Sequence, residues 1–349
     1  MAKYVTFAYL SAEQIFILLW KIQFMERSVL TTKLYLGVMS KNIVDGVISF
    51  VKKNGVSIGL IASRRQIDYN NSYVNGWTTK TFVRYVKECN KDIIVCRDHG
   101  GIGQGSLDDN GIISLIEDSQ YMDIIHIDPW KNLNFTDSVD YTICMIKNCS
   151  LINESCRFEI GTEESIFPMT PNQLDELIKT VKTKIPHLFD KIIYVVIQSG
   201  TSLLNGVNTG NYKKEKLLDM LEVSSRYGLL TKEHNGDYLL PNQIRDKLNL
   251  GLSTINIAPE VAHIETDHIL NHISVQKFND WFDLCLRNAP WKKWFSKDFN
   301  PELNRYEIVR LCGHYVFSHV EFCNIFNLAT ISSDVSKKIH HFLEERSYR

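Results

Sequence analysis

Charge of one sign is not in surplus: 39 basic side chains stand against 40 acidic ones, a formal net charge of -1 over 349 residues. That balance offers no basic footprint for nucleic acid, and no block of like charges marks an interaction tail. The eight cysteines, Cys89, Cys96, Cys144, Cys149, Cys156, Cys285, Cys312 and Cys323, never form a C-x-x-C pair, which argues against a structural zinc knuckle. Several lie in apolar runs, where a free thiol acts as a small core residue. A reduced, cytoplasmic setting is the expectation. No apolar run is clean enough for a membrane span. The richest, Ala8 to Met25, is broken by Glu13, Gln14, Lys21 and Gln23, and it lacks a signal peptide's charged start and small-residue cleavage site. It reads as an amphipathic helix in an N-terminal extension, residues 1–32, whose apolar face caps the core or a partner chain. Internal repeats and low-complexity segments are missing too.

What is present excludes disorder, a collagen-like chain and a disulfide-stapled miniprotein: 44% of residues are hydrophobic and 23% charged. From Lys33 the chain alternates short apolar runs with longer stretches of 3.6 periodicity. The strand candidates are Leu34–Val38, Ser57–Ala62, Ile93–Arg97, Asp123–Ile127, Ser155–Ile160, Lys191–Ile197, Gly228–Lys232 and Ser253–Ile257. Helical stretches follow them, the clearest starting at Ser40, Thr78, Asp108, Thr170, Lys213 and Pro241. Thr78 and Thr170 are cap residues, the second with proline at the first helical position. Eight strand–helix units predict a (β/α)8 TIM barrel over residues 33–274, with a doubly wound open sheet as the competitor. Residues 275–349 turn aromatic and charged and read as a helical appendix.

In a barrel of this kind the chemistry lies at the C-terminal ends of the strands. The polar residues there are Arg64, Arg65, Gln66 and Asp68 after strand 2; Asp98 and His99 at strand 3; His126 and Asp128 at strand 4; Glu159 and Glu163 at strand 5. Gln198, Gly200 and Thr201 follow strand 6; His234, Asn235, Gly236 and Asp237 follow strand 7; Asn256 and Glu260 follow strand 8. Two histidines and a carboxylate from separate strands suit a divalent metal that keeps positions open for substrate. Such a metal polarises a carbonyl while a nearby carboxylate moves the proton. The turns at Gly100–Gly103, Gly200 and Gly236 offer backbone N–H groups to phosphate. Arg64 and Arg65 are read either as exposed loop charges or as a phosphate clamp. His263, His268 and His272 are read as a helix face rather than a metal site. Trp77 and Trp130 stand where a sugar ring would stack, and the aromatic tail (Trp281, Trp291, Trp294, Phe317) is read as packing on the barrel's own helices ahead of a subunit contact.

Six segments carry a resemblance, in order and each at a strand end: SRRQIDYNNSYVNGWTT, RDHGGIGQG, IHIDPW, FEIGTEE, VVIQSGT and KEHNGDYLLP. Over roughly residues 33–270 the chain resembles the accessory, non-catalytic subunits of class II tagatose-bisphosphate aldolase (the GatZ/KbaZ family), as a divergent branch. The resemblance implies a TIM barrel related to metal-dependent aldolases, with Asp98 as acid/base and His99, Glu159 and His234 around the cation. Where the aldolases place a further ligand histidine at strand 6, this chain has Gln198. Some relatives are thought to invert C4 of ketose phosphates by retro-aldol cleavage and re-closure.

The expectation is a class II aldolase or 4-epimerase of a phosphorylated ketose, with a divalent ion (Zn, Mn, Ni or Mg) on His99, Glu159, His234 and Gln198. Asp98 is the acid/base, with Glu163 and Asp237 as second candidates. Arg64, Arg65, Gln66, Gly200, Thr201, Asn235 and Gly236 would hold substrate and phosphate. The alternative is a non-catalytic stabilising subunit. Expected partners are a small sugar phosphate and either a second copy or a catalytic aldolase chain, with no nucleic acid and no membrane.

Overall fold

The computed structural model describes residues 28–346 apart from 71, 107–108 and 205–206. The helix expected over Ala8–Met25 lies outside the described residues. Eight parallel strands close into one barrel, the (β/α)8 TIM barrel. They are β1 (Leu34–Gly37), β2 (Gly59–Ser63), β3 (Val95–Gly100), β4 (Ile124–Ile127), β5 (Arg157–Ile160), β6 (Ile192–Ile197), β7 (Leu230–Glu233) and β8 (Thr254–Ile257). β8 pairs with β1, with Leu34 beside Ile255, which closes the ring. The sheet has no free edge, and both faces of each strand are covered. The strands therefore read as apolar runs rather than alternating ones.

Helices α1 (Lys41–Asn54), α2 (Thr79–Cys89), α3 (Ile112–Tyr121), α4 (Phe135–Ile152), α5 (Pro171–Lys184), α6 (Lys214–Arg226), α7 (Pro241–Asn249) and α8 (Pro259–Leu270) alternate with the strands. Ser40, Thr78 and Thr170 cap α1, α2 and α5, and the last two form reciprocal capping boxes. The third helix departs from expectation. It starts at Ile112 rather than Asp108, which lies outside the described residues. Gly111 precedes it in a left-handed turn, φ +71°. Asp109 stays out of the helix, engaged by Arg64 at 2.7 Å and by the backbone of Gly111 at 2.9 Å.

The barrel lumen is layered. Its lower part is apolar, with Val29, Ile61, Ile94, Cys96 and Ile124 around Tyr35 and Tyr194. Above them sits Lys232, fully buried, its Nζ 4.1 and 4.7 Å from the two tyrosine ring centres and ion-paired to Glu159. The histidines of the mouth come next.

The appendix comprises α9 (Val275–Asn288), α10 (Arg305–Cys312), α11 (Val320–Ile325) and α12 (Ser332–Arg346). α12 lies on α1, where a Cβ on Gly46 would stand 3.1 Å from Ile339. Arg310 ties α10 to Asp267 of α8 at 2.8 Å. Trp281, Phe317 and Phe322 pack on one another inside the appendix. Among the described residues no helix is long and apolar enough to cross a membrane.

Candidate active site

Side chains on a strand alternate between faces. On β3, Cys96 and Asp98 point into the barrel. Arg97 points out and grips Asp118 of α3 with two bonds of 2.6 and 2.7 Å. By that period His99 should also face outward. Instead the ladder to β4 loses register between Arg97 and Gly100, and His99 adopts φ +49°. This bulge turns two consecutive side chains, Asp98 and His99, toward the mouth. Gly100 must follow, because a Cβ there would lie 2.7 Å from the carbonyl oxygen of His126 and from Leu115. A left-handed non-glycine residue carries a cost of about 1–2 kcal/mol, and here it falls on a histidine of the site.

β4 delivers His126 on the face of Ile124, and His234 follows Lys232 on the same face of β7. One ring nitrogen from each of His99, His126 and His234 lies within 4.8 Å of the other two. The outer nitrogens are all engaged. His99 Nδ1 bonds Asp128 Oδ2 at 2.5 Å, His126 Nε2 the carbonyl of Gly161 at 3.0 Å, and His234 Nε2 Glu159 Oε1 at 2.9 Å. Carbonyls and carboxylates only accept, so these partners assign the protons to the outer nitrogens. The inner nitrogens, His99 Nε2, His126 Nδ1 and His234 Nδ1, turn toward one another. His99 Nε2 and His234 Nδ1 face each other across 3.3 Å, and His126 Nδ1 also receives the backbone N–H of His99 at 3.2 Å.

Two imidazole nitrogens at that distance repel unless a positive charge lies between them, either a proton on His99 Nε2 or a metal ion. Nitrogens bound to a zinc-like ion at about 2.0–2.1 Å in tetrahedral geometry stand about 3.4 Å apart, so the His99–His234 spacing suits a divalent cation, with His126 within 4.8 Å of both. The surrounding charges agree. Burial disfavours an imidazolium at His99, but Asp98, Asp128 and Glu163 outweigh it and raise its pKa to about 10. Those carboxylates favour positive charge in the gap, whether a proton on His99 or a metal ion that displaces it. His126 is pushed the other way, chiefly by burial, and stays neutral as a ligand must. Burial would raise Glu159, yet Lys232 and the neighbouring histidines hold it well below the usual carboxylate range.

Two carboxylates flank the gap. Asp98 lies 3.6 Å from His234 Nδ1 and 3.8 Å from His99 Nε2, steadied by Asn256 at 3.2 Å. Glu163 lies 3.9 Å from His99 Nε2 and accepts from Asn235 Nδ2 at 2.7 Å. Asn235 thereby serves the site through its side chain, from a left-handed backbone, φ +60°.

The rest of the expected set is placed differently. Glu159 is not open to a cation: one oxygen holds His234 and the other Lys232. Gln198 is buried as a brace, donating to the carbonyls of Thr162 and Phe167 and accepting from Met169 N. Asp237 caps α8, accepting from the backbone of Ala258 and Glu260 at 2.9 and 2.8 Å. Arg64 is 1% exposed, and its fork is filled by Asp68, Asp109 and the carbonyl of Gly101, so it is not free to clamp phosphate. Gln66 accepts from Ser63 N within its own turn. Gly236 spends its N–H on the carbonyl of Asn256, and Thr201 bonds Glu233 and the His234 carbonyl. Gly200 is required by packing, since a Cβ would sit 2.1 Å from the Asn211 carbonyl oxygen. Trp77 and Trp130 are buried against neighbouring aromatics. Arg65 has no carboxylate partner among the described residues.

His126 is the residue the ligand set lacked. Its signal is a polar side chain on the inner face of an otherwise apolar, wholly buried strand.

No protein-family model and no curated protein matches this sequence. Solved structures do match in fold. A probable tagatose 6 phosphate kinase of Sinorhizobium meliloti superposes with a TM-score of 0.70 at 12% identity, over 91% of this chain and 89% of that one. The fructuronate-tagaturonate epimerase UxaE of Cohnella laeviribosi gives 0.64 at 10% identity, over 90% and 80%. The fructose-bisphosphate aldolase of Campylobacter jejuni gives 0.54 at 13% identity, over 94% and 93%. At these identities the likeness is one of fold.

Proposed function

We propose that this chain is an enzyme of aldolase type that breaks and re-forms the C3–C4 bond of a phosphorylated ketose, as an aldolase or a C4 epimerase. A divalent cation would sit on His99, His126 and His234. The observation that carries the reading is the convergence of three inner imidazole nitrogens beside two carboxylates at the barrel mouth. The fold shared with an aldolase and a sugar-acid epimerase supports it. When bound, the cation supplies polarisation of the ketose carbonyl. Asp98 takes the proton of the C4 hydroxyl as the C3–C4 electron pair moves toward C2, leaving an enediolate and an aldehyde. Asp98 returns that proton to O4 when the bond re-forms; closure on the other face of the aldehyde inverts C4. Glu163, held by Asn235, orients the hydroxyls beside His99.

The test is to purify the chain alone, load it with Mn, Zn, Ni or Mg, and follow fructose and tagatose phosphates by carbon NMR. Expected are turnover, its loss on chelation, and one cobalt ion per chain with a d–d absorption that His126→Ala changes. The second reading, a stabilising subunit without chemistry, has one observation in its favour: Gln198, where aldolases of the resembled class place a ligand, is locked into backbone bonds. Silence with every metal, together with tight association with a catalytic aldolase chain, would replace the first reading by the second.

A further inference from the structure

Three cations near the mouth are left over once the buried ion pairs are assigned. Arg65 stands at the end of β2, half-buried. Lys131 follows β4, and its Nζ donates to the carbonyl of Gly103 at 3.1 Å. Lys293 comes from the appendix and rests over the ring of Trp294 at 4.5 Å. Among the described residues none of the three has a carboxylate within ion-pair distance, although other lysines and arginines form such pairs, down to surface ones such as Arg84–Glu88.

The three come from separate segments; packing joins the appendix to the β2 loop, and Lys131 reaches the loop after β3, whose Gly101 carbonyl is held by Arg64 next to Arg65. Trp294 Nε1 donates to the Tyr315 hydroxyl at 3.2 Å, and the Tyr315 ring lies 4.8 Å from that of Tyr73 in the loop after β2. Ser318 Oγ accepts from the backbone of Asn75 in that loop at 2.7 Å. The appendix is thus latched to the β2 loop, beside Arg65. The charges register this closeness. Lys293, though exposed, is lowered in part by the like charges of Arg65 and Lys131, against the pull of Glu163. Lys131 is lowered by desolvation and by Arg65, against Asp128. Glu163 and Asp128 are carboxylates of the histidine site, so the cluster borders the proposed reaction centre. Three unpaired like charges held together raise the folding free energy unless an anion joins them.

We infer that Arg65, Lys131 and Lys293 form the seat for the phosphate of the substrate, with the appendix supplying one of its three cations. The inference rests on the sugar chemistry proposed above and names the charged end of the substrate. A guanidinium fork with two ammonium groups suits a phosphate dianion better than a single carboxylate. It also moves phosphate recognition away from Arg64 and from the turns at Gly200 and Gly236, whose groups are committed elsewhere.

The experiment is calorimetric titration of the full chain with inorganic phosphate, fructose 6-phosphate, fructose and a hexuronate at fixed ionic strength. Fructose 6-phosphate should bind far more tightly than fructose. Lys293→Met and Arg65→Gln, both at solvent-touching positions, should each weaken phosphate and fructose 6-phosphate about 10- to 100-fold, the range for a charge-assisted hydrogen bond. Lys216→Met, beside Gly200 and paired with Glu164, should leave both unchanged. The inference falls if the first two variants bind phosphate as the parent does, if Lys216→Met is the one that loses it, or if the hexuronate binds as well as the phosphate ester. His99→Ala separates the two readings. Phosphate affinity retained there while no metal supports turnover in the parent chain would overturn the aldolase reading and leave the phosphate seat standing.

Discussion

Glu265 offers a test of the packing between barrel and appendix that does not involve the histidine site. Its side chain is fully buried in α8, and among the described residues no cation lies beside it. One carboxylate oxygen accepts from Ser40 Oγ, whose own oxygen caps α1 by accepting from Ile43 N at 3.1 Å. The other accepts from Asn42 Nδ2 at 2.7 Å, and that amide also reaches the carbonyl of Leu328 in the appendix at 2.9 Å. Burial raises the carboxyl; the two hydrogen bonds pull back only in part, and the net value is about 7 against an ordinary 4.5. The folded state therefore binds a proton that the unfolded chain releases. The stability this gives is complete below pH 4.5 and lost as pH rises through 7. A displacement of that size is worth about 3 kcal/mol. Glu265→Gln keeps an acceptor for Asn42 and gains a donor for Ser40, and it cannot ionise. Urea denaturation at pH 5 and pH 8.5 should find the variant near the parent at the lower pH and about 3 kcal/mol more stable at the higher. Other groups titrate alike in both proteins and cancel in the difference. A variant-minus-parent difference that is the same at both pH values, within about 0.5 kcal/mol, would refute the reasoning.

Lys232→Met leaves Glu159 buried beside neutral rings and should cost about 3–5 kcal/mol in chemical denaturation, most of it recovered by adding Glu159→Gln. The double variant should still bind metal about 10- to 100-fold more weakly in a chelator competition, because His234 has lost its carboxylate. In the same assay His126→Ala should weaken metal binding at least as much, whereas Gln198→Ala should leave it nearly unchanged and lower the melting temperature by loosening the Thr162–Met169 loop. Arg64→Lys cannot bridge Asp68, Asp109 and Gly101 with one ammonium. It should destabilise the chain by about 2 kcal/mol in denaturant titration, with no loss of phosphate affinity.

Every barrel strand was legible within a few residues, because strands covered on both faces leave dense apolar runs that the intervening caps separate cleanly. Ser40, Thr78 and Thr170 announce their helices by chemistry that needs no tertiary context. The mouth was legible as a place and not as a set of roles. Being at a strand's end does not tell a side chain that faces the lumen, such as His234, from one that braces a loop, such as Gln198, or caps the next helix, such as Asp237. The two-residue period separates Arg97 from Asp98, but it fails at His99, where the bulge re-aims the chain. Glu159 was legible at the site, but its pairing with Lys232 appears only once β5 and β7 face each other across the lumen. Arg64 and Arg65 are adjacent and alike in sequence; only Asp68 and Asp109, meeting the first and not the second, distinguish them.

The proton positions at the mouth are set from within the barrel rather than by its loops. Lys232 and His234 lie two residues apart on one face of β7, and Glu159 reaches across from β5 to touch both. The lysine fixes the carboxylate as an anion, and the anion fixes the proton of His234 on Nε2. Asp128, at the end of β4, does the same for His99 of β3. The carbonyl of Gly161, after β5, does it for His126 of β4. Each imidazole is thus oriented by a group on another strand, so the three inner nitrogens converge only when the ring of strands is closed in register. A slip of one residue in any of β3, β4, β5 or β7 would reverse the facing of its side chains and remove either a ring or its anchor. Closure of the barrel and assembly of the cation site are in that sense one event.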